Sequence, residues 1–489
     1  MYRTIILLVL ATFVSKASAG IRLPAIIGEN MVLQRGIKVP LWGWADPGEI
    51  IYIDFQNETF KTQADRAGKW STRIRSYRAG GPYHMRIRSA SSDITFNNIL
   101  LGDVWVCSGQ SNMEFGIQTE KHAQQEIPEA SDSLIRMFYV PMAFSKDPKA
   151  DIVRGQGASR NGKWIVCSPA AMEDTKWAWH GFSAAGYYFA KTLRNSAGSP
   201  VGMIGTYKGG TPAQAWISPE GLQKKPAFTN YLNTETATGF SSPSGLFNAM
   251  VQPLINYGIK GVIWYQGESN GDKLAQALEY PRLFSRLISD WRHQWSQGNF
   301  PFLYVQLASF RKPAQTASEG IWPWVREAQL LTLSVPNTAM VVTTDLGDAL
   351  DIHPGNKKDI GMRLALAARK VAYKEKLVYS GPVYRSMKVT KDTIVLHFSH
   401  IGSGLRSAGP LFTGLEIPKQ LKGFGIAAAD GRFVWANAVI NGSTVKVWSP
   451  EIADPVAVRY NWADNPAGTL YNEEGLPATP FRTDHFPKE

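Results

Sequence analysis

The stretch Val104–Met113, V-W-V-C-S-G-Q-S-N-M, puts a serine where a nucleophile can act. The apolar run Val104–Cys107 suits a buried strand, and Ser108-Gly109 ends it. Ser111 then falls on the turn beyond the strand's carboxyl end, where open α/β sheets place their ligands. N–H groups freed at such a turn can face a developing oxyanion. By itself a serine there is ordinary turn chemistry, and partners elsewhere must decide. Three further strand-like runs end in unusual residues. Val201–Thr206 leads into Lys208-Gly209-Gly210-Thr211, and Gly261–Tyr265 into Gln266-Gly267-Glu268-Ser269-Asn270. Ala339–Thr344 leads into Asp345, Asp348, Asp351 and His353-Pro354. The set supplies the parts of acyl transfer: an attacking serine, a histidine to take its proton, an acid to orient the histidine, and N–H donors for the oxyanion.

Those loops need a scaffold that brings them to one edge. Bare apolar runs (Val104–Cys107, Val201–Thr206, Gly261–Tyr265, Phe302–Leu307 and Ala339–Thr344) read as parallel strands covered on both faces. Between them Phe182–Arg194, Leu246–Tyr257, Pro281–Trp295 and Asp359–Tyr373 carry apolar residues three and four apart, the spacing of amphipathic helices. This alternation is the α/β signature. Before it, residues 20–98 show short β runs such as Ile50–Ile53 and Tyr83–Ile87, divided by Asp46-Pro47-Gly48 and Gly80-Gly81-Pro82 turns. After it, residues 379–489 return to alternating strands: Ile394–Phe398, Phe433–Trp435, Val445–Trp448 and Val456–Tyr460. The expected organisation is an α/β domain over residues 99–378 between N- and C-terminal β-sandwich domains.

Composition bounds the function classes. The 489 residues are 44% hydrophobic and 19% charged, as in globular chains with real cores. Net charge is +12, yet Lys and Arg are dispersed, which argues for solubility or mild attraction to acidic glycans before nucleic acid. Residues 1–19 read as a secretory signal: Arg3, an apolar run Ile5–Val14, and Ala17-Ser18-Ala19 before Gly20. That run is too short to span a bilayer, and no later stretch looks transmembrane, so export without membrane insertion is expected. Cys107 and Cys167, the only cysteines, lack metal-site spacing and are read as unpaired rather than as a disulfide.

The motifs G-Q-S-N-M-E, G-G-T-P-A-Q-A-W, W-Y-Q-G-E-S-N and D-I-H-P-G-N-K resemble the sialate O-acetylesterase branch of the SGNH (GDSL-like) hydrolases. The resemblance covers roughly Ile99–Lys376. It implies a flavodoxin-like three-layer domain with a parallel sheet that removes acetyl esters from carbohydrates, 9-O-acetylated sialic acids foremost, without metal or cofactor. On this likeness Ser111 matches the nucleophile and His353 the general base. Gly210 matches the glycine whose N–H joins that of Ser111 in the oxyanion hole, with Gly209 as the alternative. The family's third block is usually G-x-N-D, whereas here it reads Gly267-Glu268-Ser269-Asn270, leaving Gln266 or Asn270 to supply the amide. The common D-x-x-H spacing is also absent, because Leu350 stands three before His353. Asp351 is then the first choice of acid, with Asp345, Asp348 or a serine–histidine dyad as alternatives.

Blander roles compete for the remaining residues. His180, His397 and His400 read as structural or solvated. Glu268 either braces its loop or meets substrate, Asn112 either braces the serine turn or forms an Asx turn, and Trp216 reads as packing before substrate contact. Lys208 and Arg363 could meet a sialic acid carboxylate, but solvated or ion-paired roles are favoured. Three rival functions remain: the same chemistry on acetylated xylan, xyloglucan or pectin, a carbohydrate-binding protein on a dead hydrolase fold, and a glycosidase using paired carboxylates.

Overall fold

A computed structural model describes residues 20–153, 162–174, 179–233, 238–407 and 421–486. The leader expected over residues 1–19 lies outside them. The central sheet contains β1 (Asp93–Gly109), β2 (Asp132–Tyr139), β3 (Trp164–Cys167), β4 (Val201–Tyr207), β5 (Gly261–Tyr265), β6 (Phe302–Val305) and β7 (Thr338–Val341), in spatial order β7-β6-β5-β1-β4-β2-β3. All neighbours are parallel except the edge pair β2–β3. After β1 the chain lays β2 and β3 on one side, returns to place β4 between β1 and β2, then crosses to the other side at β5. β1 therefore lies at the switch point where such sheets bind ligands.

Period-two alternation sorts the strand side chains between two cores. Val104, Val106, Val262 and Trp264 join one cluster, together with Leu283, Phe284, Leu287, Ile288 and Trp291 of helix α2 (Leu274–Trp295). Trp105, Cys107 and Ile263 join the other, with α1 (Ala184–Ala197) and α4 (Lys357–Val371). Between these two helices in the chain lies α3 (Trp322–Leu331), which packs beside α2. The Ser183 hydroxyl caps α1 by accepting from the Gly186 N–H, and Gly198 closes it in the left-handed conformation. Small residues set the approach of α1 to its neighbours: a Cβ on Gly361 would stand 2.6 Å from Cβ of Tyr188, and one on Gly186 2.8 Å from the Cys107 sulfur. Both cysteines are free and buried, and burial pushes the Cys107 thiol up to about 12.

Four features differ from the sequence reading. The change of texture at Ile99 falls inside one continuous strand. β1 alternates in exposure over residues 93–98, pairing with Gly80–Arg88, and is buried throughout from Ile99 onward, pairing with β4 and β5. A strand can pass from a half-exposed sheet to a covered one without a break, so a shift in pattern need not mark a linker. Leu246–Tyr257 forms a π-turn over Phe247–Val251 and a 3-10 turn over Gln252–Leu254 rather than an α-helix, since Pro253 brings no N–H. The helix expected from Pro281 begins at Leu274, because Pro281 forfeits one main-chain bond while Ala277 and Tyr280 are fully buried. β2 was concealed by Arg136, buried in mid-strand and donating to the Asn98 side-chain oxygen.

The C-terminal unit packs a sheet containing Thr393–Ser399 and Thr444–Trp448 against one containing Phe424–Ala427 and Ala457–Tyr460. Arg326 of α3, fully buried, ties this unit to the α/β sheet by donating to the carbonyls of Leu307, Ala308, Ala463 and Asp464.

Gly109, which ends β1, has φ +139°, and a Cβ there would overlap the Tyr265 carbonyl. Gly109→Ala should lower thermal stability by more than the about 1–3 kcal/mol that a disfavoured backbone conformation costs. Gly48→Ala, also at positive φ but with open space around it, measures that cost alone in a parallel melt.

Candidate active site

β1, β4 and β5 stop at one level, since Gly109 is in register with both Tyr207 and Tyr265. The turns are then laced together by their first polar groups. Gln110 N–H donates to the Tyr265 carbonyl and Lys208 N–H to that of Gly109. Gln110 Oε1 accepts from the Ser269 N–H at 3.2 Å. Ser111, half-buried, opens the short helix Ser111–Glu114. The Gly-Gly turn lies against it: a Cβ on Gly209 would stand 3.2 Å from Cβ of Ser111. Gly209 N–H is spent on the Glu114 carboxylate at 2.6 Å. Gly210 has φ +70°, and among the described residues neither its N–H nor that of Ser111 takes a partner. Two donors are thus left unspent beside the turn.

The histidine loop follows β7. The Asp351 Oδ1 accepts from the His353 N–H at 2.9 Å and pairs with His353 Nδ1 at 3.0 Å. That backbone bond is the sharp turn that lets residues two apart reach each other. With Nδ1 held, the Nε2 lone pair is the free basic position. The edge of Trp179 packs on the ring at 4.8 Å. Burial lowers the imidazole's basicity and the Lys357 charge lowers it further, against the raising influence of Asp351. The other two acids are committed elsewhere. Asp345 forms a buried two-bond pair with Arg363 at 2.7 and 2.6 Å, and Asp348 accepts the N–H groups of Leu350 and Asp351. Arg363, so paired, is not offered to a ligand carboxylate.

Asn112 stitches the loops together. Its Nδ2 donates to Glu268 Oε1 at 2.6 Å and to the Ile352 carbonyl at 3.1 Å, while its Oδ1 accepts from Lys357 Nζ at 2.6 Å. The neighbour of Ser111 thereby grips the neighbour of His353.

A serine turn, an open pair of N–H donors and a carboxylate-held imidazole on adjoining loops are the furniture of ester hydrolysis. The family model for a carbohydrate esterase, sialic acid-specific acetylesterase, matches residues 101–370. The chain belongs to this family. Sialate O-acetylesterase of Homo sapiens is 30% identical across 95% of this chain and 93% of its own length, and that of Mus musculus is 28% identical across 98% and 97%. The crystal structure of a carbohydrate acetylesterase from Xanthomonas citri superposes with a TM-score of 0.85 at 37% identity, covering 95% of this chain and all of that one. This carbohydrate esterase is accordingly a carboxylic ester hydrolase.

Within the esterase site the two amide candidates part company. Gln266 is fully buried, with Nε2 donating to the Thr211 carbonyl and to Asn270 Oδ1, and Oε1 accepting from Tyr280. Both its hydrogens are committed. Asn270 gives one hydrogen to Gln214 Oε1 at 3.2 Å and keeps the other. Trp216 is core, its indole packed edge-on to Trp264 and bonded to Thr211. His180 is exposed, and His397 and His400 lie in the C-terminal unit. Two residues inside the motifs were given no role from sequence: Glu114, which anchors Gly209, and Lys357, which anchors Asn112. Their only sequence signal is a charge at the last position of each motif.

Asp345→Asn should destabilise the fold by about 3–5 kcal/mol, because it strands a buried guanidinium. Asp351→Asn, at an exposed position, should leave the melt unchanged and cut turnover about 10- to 100-fold, less than the roughly 10⁴-fold cost in a buried triad. The reverse pattern in melts and ester hydrolysis would reassign the acid.

Proposed function

We propose that this esterase is an exported serine carbohydrate O-acetylesterase working through an acetyl-enzyme. Ser111 Oγ adds to the acetyl carbonyl as His353 Nε2 takes its proton, and Asp351 holds the imidazolium. The oxyanion rests on the N–H groups of Ser111 and Gly210 with the free Asn270 amide hydrogen, and a preorganised donor of this kind is worth roughly 2.7–4 kcal/mol. The C–O bond to the sugar breaks and His353 protonates the departing oxygen. Water then attacks the acetyl-enzyme, giving its proton to His353, and acetate leaves as Ser111 regains its hydrogen. The observation that carries this reading is the Asp351–His353 pair, held to the Ser111 turn by Asn112.

O-acetylated sialic acids are the first substrate reading, supported by the family and by the sialate O-acetylesterase relatives. A neutral acetylated plant glycan is the second, favoured by Arg363 being consumed by Asp345 rather than free for a sialate carboxylate. Beside the Gly-Gly turn, Lys208 Nζ stands 5.2 Å from the Phe240 ring centroid, and Phe240 packs edge-on to the half-exposed Phe144. A cleft of about 880 Å³ lined by Phe144, Lys146, Tyr231 and Ser242 adjoins them. Its aromatic surface suits the sugar bearing the ester. Export is read from the leader, and among the described residues no helix is long and apolar enough to cross a membrane.

Ser111→Ala should abolish p-nitrophenyl acetate hydrolysis and fluorophosphonate labelling while keeping the wild-type melt; undiminished turnover would remove the mechanism. Acetate release from O-acetylated sialoglycans against acetylated xylan, xyloglucan and pectin ranks the substrates. Phe240→Ala should raise KM for the preferred glycan about tenfold and leave p-nitrophenyl acetate turnover unchanged, as loss of one ring contact of about 1.4 kcal/mol would.

A further inference from the structure

Lys357 is hard to explain as a stabilising residue. It opens α4 and is fully buried, yet among the described residues no carboxylate oxygen lies within salt-bridge distance of its ammonium. A buried cation without a paired anion costs a fold free energy. What Nζ does touch is Asn112 Oδ1 at 2.6 Å, with the faces of Phe115 and Tyr265 at 4.5 and 5.5 Å from their centroids.

The Asn112 amide has two possible orientations related by a flip about its last bond. In the observed one both hydrogens point at acceptors, the Glu268 carboxylate and the Ile352 carbonyl. Flipped, its oxygen would face those two acceptors, and its hydrogens would face the lysine donor. Lys357 is the one donor that, with those two acceptors, fixes which end of the amide is oxygen. Asn112 is adjacent to Ser111 and Ile352 to His353, so this one amide ties together the two stretches of backbone that carry the proposed reacting pair. Glu268 is also fully buried, and its Oε2 has no partner among the described residues, so Asn112 is its side-chain tether.

We propose that Lys357 is a positioning residue for acyl transfer, fixing the Asn112 amide that joins the Ser111 turn to the Glu268 and His353 loops. The inference rests on Ser111 and His353 being the reacting pair. The ammonium also acts on the base through space, since its charge is one cause of the lowered His353 basicity. Facing Lys357 are Glu268 after β5, Glu120, which accepts the Lys357 N–H at 3.2 Å, Asp351 and His353 on the histidine loop, and the Tyr265 phenol at the end of β5. Burial, opposed by those three carboxylates, brings the amine down to about 7. Below that pH it is charged, and in that state it helps hold the imidazole under its ordinary basicity.

The test is Lys357→Met and Lys357→Gln in the full chain, assayed on p-nitrophenyl acetate across pH 5–9 with melts alongside. Methionine removes donor and charge, while glutamine keeps a donor for Asn112 Oδ1 without charge. Expected for Lys357→Met is a fall in kcat of about 10- to 100-fold with KM within twofold. Its acid limb of kcat/KM should move to higher pH, because His353 no longer feels the neighbouring cation. The melt at pH 7 should be no lower than wild type, because the folded protein holds this proton less tightly than the unfolded chain. Lys357→Gln should recover part of kcat while keeping the displaced limb. Wild-type kcat and an unmoved limb in both variants would overturn the proposal, as would failure of both to fold, which would make Lys357 scaffold. Ser111→Ala, run in the same assay, separates the outcomes. If that variant retains turnover, the acyl-enzyme reading itself falls; if it is inactive while the lysine variants behave as wild type, only this inference does.

Discussion

One side-chain amide joins three loops that are distant in sequence. Asn112 spends both hydrogens and its oxygen inside the protein, on Glu268, Ile352 and Lys357. A buried amide with both hydrogens and its oxygen paired is held rigidly, because any departure leaves a desolvated donor or acceptor unpaired. The geometry of the esterase site follows from that constraint. The serine turn cannot drift from the histidine loop without breaking a buried hydrogen bond, and the bond partners are chain neighbours of Ser111 and His353, the proposed reacting pair, rather than those residues themselves. Ser111 and the imidazole Nε2 stay available for chemistry.

The network forms only because the sheet delivers its members to one place. β1 sits where the strand order reverses, and its last residue is level with the last residues of β4 and β5. At that convergence the backbones approach more closely than side chains permit, which is why Gly109 and Gly209 occur where a Cβ would meet the Tyr265 carbonyl or Ser111. Glu114 and Gln110 then fasten the neighbouring turns through their backbone N–H groups. The result is a site built from main chain and locked by carboxylates and amides.

Charge is used differently at the surface and in the interior. The +12 excess is dispersed over solvated Lys and Arg, whereas the buried charges each have a specific office. Arg326 holds the C-terminal unit against α3, Arg363 with Asp345 braces the end of β7, and Lys357 directs an amide. The first two are satisfied by carbonyls or a carboxylate and serve the fold. The third lacks an ion-pair partner, and its worth lies in what it orients.

Much of this was legible along the chain. Bare apolar runs announced the parallel strands because a strand covered on both faces has no solvent side to carry polar residues. The loops after them pointed to the esterase family, because Ser111, Gly210 and His353, the residues proposed for the chemistry, stand in short motifs with local turn signals. Three things were not legible. The passage of β1 from one sheet into the next left no break in the chain, only a change in which faces were covered. The proposal of Asp351 over Asp345 and Asp348 depends on Arg363, which reaches the first from helix α4, and on backbone N–H groups that occupy the second. The roles of Lys357 and Glu114 depended on partners in other motifs. Sequence alone determined the residue types and the order of the elements, since periodicity and turn chemistry act over a few neighbours. The tertiary structure decided which polar groups were already spent and which remained free, since a hydrogen-bonding partner is set by distance in space and burial makes each pairing exclusive.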